Sequence, residues 1–244
     1  ASSYTMTVNV TAVNDAPTAS NNTVTTNEDT DHTFAASEFG FTDVDGDSLD
    51  HVSIETLPSN GTLLLSGSAV SAGDQISAAN ISNLVFRPAA NANGASYDTF
   101  TFTVNDGTTD SASSYTMTVN VTAVNDAPTA SNNTVTTNED TDHTFAASEF
   151  GFTDVDGDSL DHVSIETLPS NGTLLLSGSA VSAGDQISAA NISNLVFRPA
   201  ANANGASYDT FTFTVNDGTT DSASSYTMTV NVTAVNDAPT ASNN

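Results

Sequence analysis

Cysteine, lysine and tryptophan are all missing from the 244 residues of this chain. Without cysteine no disulfide framework can staple the fold, and thiols say nothing about the redox compartment. Basic charge is almost absent as well: Arg87 and Arg198 face 29 carboxylates, for a net charge of −27. Such an excess of negative charge opposes compaction and makes nucleic acid or an anionic membrane an unsuitable partner; cations are the suitable ones. No long apolar run marks a membrane span and no signal peptide is present, so the chain reads as a segment excised from something longer.

What is present is repetition. The five residues Val124 to Pro128 occur also at Val13 to Pro17 and at Val235 to Pro239, at one constant interval, and the identity holds throughout. Ala1 to Asn22 equals Ala112 to Asn133 and Ala223 to Asn244. The chain is therefore divided as 1–13, the last strand of a preceding repeat; 14–124, the first repeat; 125–235, the second; and 236–244, the start of the next joint. Each repeat is near the commonest domain size and long enough to bury its own core. Proline in the joint ends a strand, and Asn-Asp ahead of it favours a turn.

Within a repeat, Thr, Val, Ser, Asn and Ala dominate, turn clusters recur about every ten residues, and no helical periodicity appears. Seven strands are expected: Thr23–Thr26, Thr30–Ala35, His51–Leu57, Thr62–Ser66, Leu84–Arg87, Tyr97–Val104 and Ser113–Val124. Asn60-Gly61 predicts a hairpin between the third and fourth, because both positions accept positive φ. A helical turn is expected near Ser77 to Asn80. Phe34, Phe39, Phe41, Phe86, Phe100 and Phe102 form the expected core, and Arg87 the partner of a nearby carboxylate. The fold class is all-β: tandem immunoglobulin- or cadherin-like seven-stranded sandwiches stacked end to end. Seven passes leave the chain at the end opposite to its start, which sorts the loops. Asp43, Asp45, Asp47, the Gly73-Asp74 turn and Asp106 are assigned to the N-terminal pole beside Asn14 and Asp15. Glu28, Asp29, Asn60-Gly61 and the loop ending at Asp98 are assigned to the C-terminal pole.

Repetition then brings Glu28, Asp29, Asn125, Asp126, Asp154, Asp156, Asp158 and Asp217 toward one joint. Clustered carboxylates without lysine or arginine need another cation. Calcium fits, as a hard ion taking six to eight oxygens from carboxylates, amides, carbonyls and water. The expected ligands are Asn14, Asp15, Glu28, Asp29, Asp43, Asp45, Asp47 and Asp106, with Asn125, Asp126, Glu139, Asp140, Asp154, Asp156, Asp158 and Asp217 in the second copy. Asp-x-Asp-Gly-Asp points alternate carboxylates at one spot, with glycine allowing the backbone to turn. It is no EF-hand, since glycine precedes the third Asp and the twelfth position is Ile54. The absence of cysteine and the two histidines per repeat, His32 and His51, argue against zinc or copper, and both histidines are read as surface or edge-strand residues. A surface kept soluble by acid, or adaptation to high salt, explains the total charge but not its clustering.

The segments Val13 to Pro17, Thr26 to Thr30, Thr42 to Leu49, Asn60 to Thr62, Phe100 to Gly107 and Val119 to Pro128, in this order, resemble the cadherin-like tandem repeats of giant bacterial RTX-type, biofilm-associated surface adhesins. The resemblance implies an extender at the bacterial cell surface, outside the cell, rigidified by calcium and holding a distal binding domain away. Its partners are then calcium ions and neighbouring repeats in a monomeric rod. Animal cadherins are similar in logic, but Ala16 stands where their linker motif ends in Asn. An enzyme is disfavoured because identical tandem copies offer no unique tuned site. The alternative is a repeated module that binds carbohydrate or a cell-surface partner by avidity, for which no flat threonine array or exposed aromatic cluster is expected.

Overall fold

The computed structural model describes residues 1–238; Pro239 of the third joint, with the rest of the expected segment 236–244 beyond Ala238, lies outside the described residues. The chain divides into two compact units, Ala1–Val124 and Asn125–Asn244. In the first unit the strands are β1 (Asn22–Asn27), β2 (His32–Thr33), β3 (His51–Thr56), β4 (Thr62–Leu65), β5 (Ser68–Ala69), β6 (Gln75–Ser77), β7 (Leu84–Arg87), β8 (Gly94–Asn105) and β9 (Tyr115–Thr122). The second unit repeats the same nine, from Asn133–Asn138 to Tyr226–Thr233.

Seven of these nine coincide with the expected strands. The other two, β5 and β6, are two and three residues long, too short for alternation to show in the sequence. A 3-10 helix at Ala78–Asn83 stands where one helical turn is expected, and a second at Ala36–Phe39 carries Phe39 into the core. Two sheets form, in the orders β1-β9-β8-β3-β6 and β2-β7-β4-β5. All of these pairs are antiparallel except β1 with β9, which run parallel from Asn22↔Met117 to Asn27↔Thr122. First and last strands pointing the same way put the start and finish of the unit at opposite ends, as an odd number of passes requires.

Between the sheets, Phe34, Phe39, Phe86, Phe100 and Phe102 are each at most 1% exposed. Phe34 meets Phe100 edge-on at 5.6 Å between centroids and Phe39 meets Phe102 at 4.9 Å. Each buried ring contributes roughly 1.5–3 kcal/mol relative to exposure. Phe41 is only half-buried at the margin of this cluster. Arg87 makes a two-pronged pair with Asp31, at 2.8 and 2.7 Å.

Three expectations are corrected. Asn60-Gly61 is not a hairpin turn: β3 pairs with β6 and β8, whereas β4 pairs with β5 and β7, so the turn crosses from one sheet to the other. Gly61 is there for space, since a Cβ on it would lie 2.3 Å from the Phe86 ring. Second, the Gly73-Asp74 turn is not at the N-terminal pole; it hydrogen-bonds Ile54, well along β3, because β6 is a strand that runs back from there to His51. Third, the outer face of the larger sheet does carry threonines in register, Thr23–Thr118–Thr99 and Thr116–Thr101–Thr56. Alternation places every second Thr of these strands outward once Met117, Val119, Phe100 and Phe102 point inward.

Residues 1–12 form no strand, and Tyr4, Met6, Val8 and Val10 are 75% exposed or more. They repeat the sequence of β9, whose Met117, Val119 and Val121 are buried between β1 and β8.

Candidate metal centre

At the N-terminal pole of the first unit the loop from Thr42 to Leu49 folds on itself. The Asp43 Oδ1 accepts the backbone N–H of Asp45 at 2.8 Å and of Asp47 at 3.1 Å. Gly46, at φ 83°, supplies the left-handed residue the loop needs. Asp43, Asp45 and Asp47 thereby each offer a carboxylate oxygen within 4.8 Å of the others. Two oxygens bound to one calcium lie at most about twice the 2.3–2.6 Å bond apart, so the trio fits inside one coordination sphere.

The joint is tied to this loop. Thr18 and Thr42 exchange backbone hydrogen bonds of 2.8 Å in both directions, and Pro17 is buried beside them. The Asp15 N–H donates to Asp45 Oδ2 at 2.7 Å. The Asn14 side-chain amide donates to Asp106 Oδ2 at 2.9 Å, from the turn after β8. An open cleft of about 540 Å³ runs between Asp15, Ala16, Thr18, Thr42, Asp43 and Val44.

The second unit builds the same pole: Asp156 and Asp158 donate backbone N–H to Asp154 Oδ1 at 2.9 and 3.0 Å. Asp126 donates its N–H to Asp156 at 2.7 Å and Asn125 its amide to Asp217 at 3.0 Å. Asp154, Asp156 and Asp158 again converge within 4.8 Å.

Electrostatics explain how such a pole tolerates its charge. The Asn14 amide, and then the Thr109 N–H, hold the Asp106 carboxyl below its ordinary value of 3.8. For Asp217 burial is the largest influence and pushes upward, but the Asn125 amide with the Thr220 and Thr219 N–H groups outweighs it, and the net shift is down. Asp43 has no such relief on its second oxygen. The Oδ2 atoms of Asp43 and of Asp154 are both buried with no hydrogen-bond partner. A carboxylate oxygen hidden from water, beside two more carboxylates and with the repeat's arginine engaged elsewhere by Asp31, is a donor set suited to a hard divalent cation.

Other expected ligands stand elsewhere. Glu28 lies at the C-terminal pole, 2% exposed, with Oε1 accepting the Val124 N–H at 2.5 Å and Oε2 the Asn93 amide at 3.1 Å. Asp29, at φ 55°, accepts the Asn91 N–H at 3.0 Å. Glu139 and Asp140 repeat these roles toward Val235 and Asn202. Asp98, assigned to the same pole, turns inward at a bulge of β8 and spends its oxygens on the backbone N–H groups of Ser59, Asn60, Gly61 and Thr99. Sequence reasoning missed the burial of Glu28 and Asp98; for Asp98 the signal is its place one residue before the alternating Thr99 to Val104 run, on the inward parity of Phe100 and Phe102.

No curated protein matches the chain. Among solved structures it is similar to Drosophila N-cadherin EC1–4, at 17% identity over 91% of this chain and 50% of that one, with a TM-score of 0.46. It is also similar to the four N-terminal Ig domains of Dscam1 isoform 6.9, at 11% identity over 91% and 47%, TM-score 0.30. An endo-fucoidan hydrolase of glycoside hydrolase family 107 aligns at 17% over 90% and 29%, TM-score 0.31. The chain thus spans half or less of the length of each of these three proteins. The sequence model of the bacterial Ig domain matches residues 14–122 and again 125–233. On that match, which takes in both sandwiches from joint to last strand, the chain belongs to the bacterial Ig domain family as two tandem copies.

Proposed function

We propose that this chain is a spacer segment of a bacterial surface adhesin, stiffened by calcium, that holds a binding domain away from the cell. The observation that carries the reading is the orphaned, buried Asp43 Oδ2, repeated at Asp154, in a loop onto which the joint is hydrogen-bonded. Asp43, Asp45 and Asp47 hold the ion, with Asp15 next to them; Asp154, Asp156, Asp158 and Asp126 do so in the second unit. Calcium there supplies charge neutralisation and cross-links joint to loop. Its effect is to remove the freedom between domains that is otherwise the default.

The covalent connection supports the same reading. Val124 is held by Glu28 of its own unit, and the next residue, Asn125, is held by Asp217 of its own. The two holds fall on consecutive residues. Secretion and a place at the bacterial surface belong to this proposal; no helix among the described residues is long and apolar enough to cross a membrane. Small-angle scattering of the chain with calcium and with chelator tests it: the maximum dimension should fall and flexibility should rise on chelation, and identical curves would defeat the spacer reading.

The threonine rows favour a second reading, a weak repeated binding face that works by avidity. A glycan array probed with the two-unit chain separates the two, since a spacer leaves it blank.

A further inference from the structure

The sequence suggests a surface or sheet-edge place for His51, and the structure gives it neither. It sits on β3 between β8 and β6, opposite Asn105 on one side and Ser77 on the other, with its side chain 14% exposed. Its Nδ1 lies 2.8 Å from Asp50 Oδ2. A carboxylate can only accept, so Nδ1 carries a proton, and in the neutral ring Nε2 is then a bare lone pair. That Nε2 is buried and has no hydrogen-bond partner. What faces it is another acceptor, Asp110 Oδ1 at 3.9 Å. The Asn105 amide donates to that same oxygen at 2.7 Å, which leaves it a second lone pair. The second unit reproduces each feature: His162 with Asp161 at 2.8 Å, Asp221 at 3.9 Å and an unpartnered Nε2. His32 differs, because its Nε2 meets Glu38 at 3.3 Å and its ring packs edge-on against Phe34.

We propose that His51 Nε2 and Asp110, backed by Asp50, form a binding site for a borderline divalent cation of the zinc class, and that His162, Asp221 and Asp161 form a second. With the ring neutral, Nε2 and the Asp110 carboxylate are two acceptors facing each other across a small gap, and a divalent cation between them satisfies both. An ion bonded at roughly 2.0–2.2 Å to both atoms in tetrahedral geometry sets them about 3.4 Å apart, so a shift of about half an ångström by Asp110 closes the site. Asp110 has that freedom, being 60% exposed. Donation of the second ring N–H to a carboxylate is the arrangement that orients metal-bound imidazoles and raises their basicity, and Asp50 supplies it. Water completes the coordination. The nitrogen ligand separates this site from the oxygen-only Asp43 cluster: imidazole suits zinc, copper and nickel, while calcium takes oxygens.

The test is a zinc titration of the whole chain in saturating calcium, followed by calorimetry and by imidazole nitrogen resonances. Two zinc ions per chain are expected, with the Nε2 resonances of His51 and His162 moving and those of His32 and His143 staying. The exposed pair of changes Asp110→Asn and Asp221→Asn should weaken zinc binding at least tenfold while melting stays unchanged, and Asp50→Asn with Asp161→Asn should weaken it about ten- to hundredfold. His51→Gln with His162→Gln should abolish it. No zinc-dependent shift at His51 and His162, a response at His32 and His143 instead, or affinity untouched by Asp110→Asn with Asp221→Asn, would overturn the proposal. Calcium response lost while zinc binding persists would sink the spacer's metal and leave this site standing.

Discussion

Glu28 and Val124 are joined across 96 residues by a hydrogen bond of 2.5 Å from the Val124 N–H to the carboxylate Oε1. The same carboxylate holds the Asn93 amide, and it is 2% exposed. Glu28→Ala strands both donors at a cost of about 1–3 kcal/mol. Glu28→Gln keeps one acceptor and should lose less. Because the two repeats have identical sequences, Glu28→Ala should split a single thermal transition into two, with only one of them lowered. An unsplit, unshifted melt would show that this contact does not anchor the end of the unit.

Asp98 makes the sharpest statement about pH. Burial is the largest influence on its carboxyl and pushes upward, but four backbone N–H groups, from Ser59, Asn60, Gly61 and Thr99, outweigh it and hold the group below 3.8. A carboxyl depressed on folding contributes stability that is fully present above the unfolded value of about 3.9 and is lost as pH falls through the folded one. Asp98→Asn should therefore destabilise its unit at pH 7, by about 1–3 kcal/mol for the donors left unmatched. The gap from the unaltered chain should narrow in urea titrations as the pH is taken down through and below 3.8. A gap of constant size across that range would contradict the assignment.

Gly61 tests the corrected turn. If Asn60-Gly61 were a hairpin turn at positive φ, alanine there would be strained by its backbone alone. In the structure the obstacle is instead the Phe86 ring at 2.3 and 2.5 Å and the Arg87 carbonyl at 2.9 Å. Overpacking of this kind costs about 1–3 kcal/mol. Gly61→Ala should lower the melting temperature, and the same change should cost less when made in a chain already carrying Phe86→Leu, which a backbone effect would not allow.

The longest strands and the core were legible in the sequence because alternation is a strong signal where a strand is long, as in β8 and β9. Phe100 and Phe102 against Thr99, Thr101 and Thr103 left one way to face the strand. The Asp43 loop was legible for a similar reason, since alternate carboxylates with glycine between fix where oxygens point. Asn60-Gly61 misled because a local turn preference says nothing about which sheet receives the next strand, and β4 finds its partner in β7, far along the chain. Glu28 and Asp98 look like any other acidic turn residue until long-range contacts bury them. His51 was hidden the same way: its setting depends on Asp110, which follows only after β8, and on the short strand β6.

Calcium should act on stability through Asp43 in a way that separates ion binding from loop folding. Asp43→Asn retains an oxygen able to accept the N–H groups of Asp45 and Asp47, the bonds by which this side chain shapes the loop. What it removes is the buried, unpartnered Oδ2, replaced by a donor that repels a cation. The loop should therefore fold as before in chelator, slightly relieved of like-charge repulsion. In calcium at a hundredfold excess over Kd, the unaltered chain should gain about 2.7 kcal/mol per unit, and the chain carrying Asp43→Asn with Asp154→Asn should gain almost nothing. Thermal melts of both chains with and without calcium measure this difference directly. An equal gain in the two would mean that the ion sits away from Asp43, and the joint would have to owe any stiffness to Glu28 and the backbone alone.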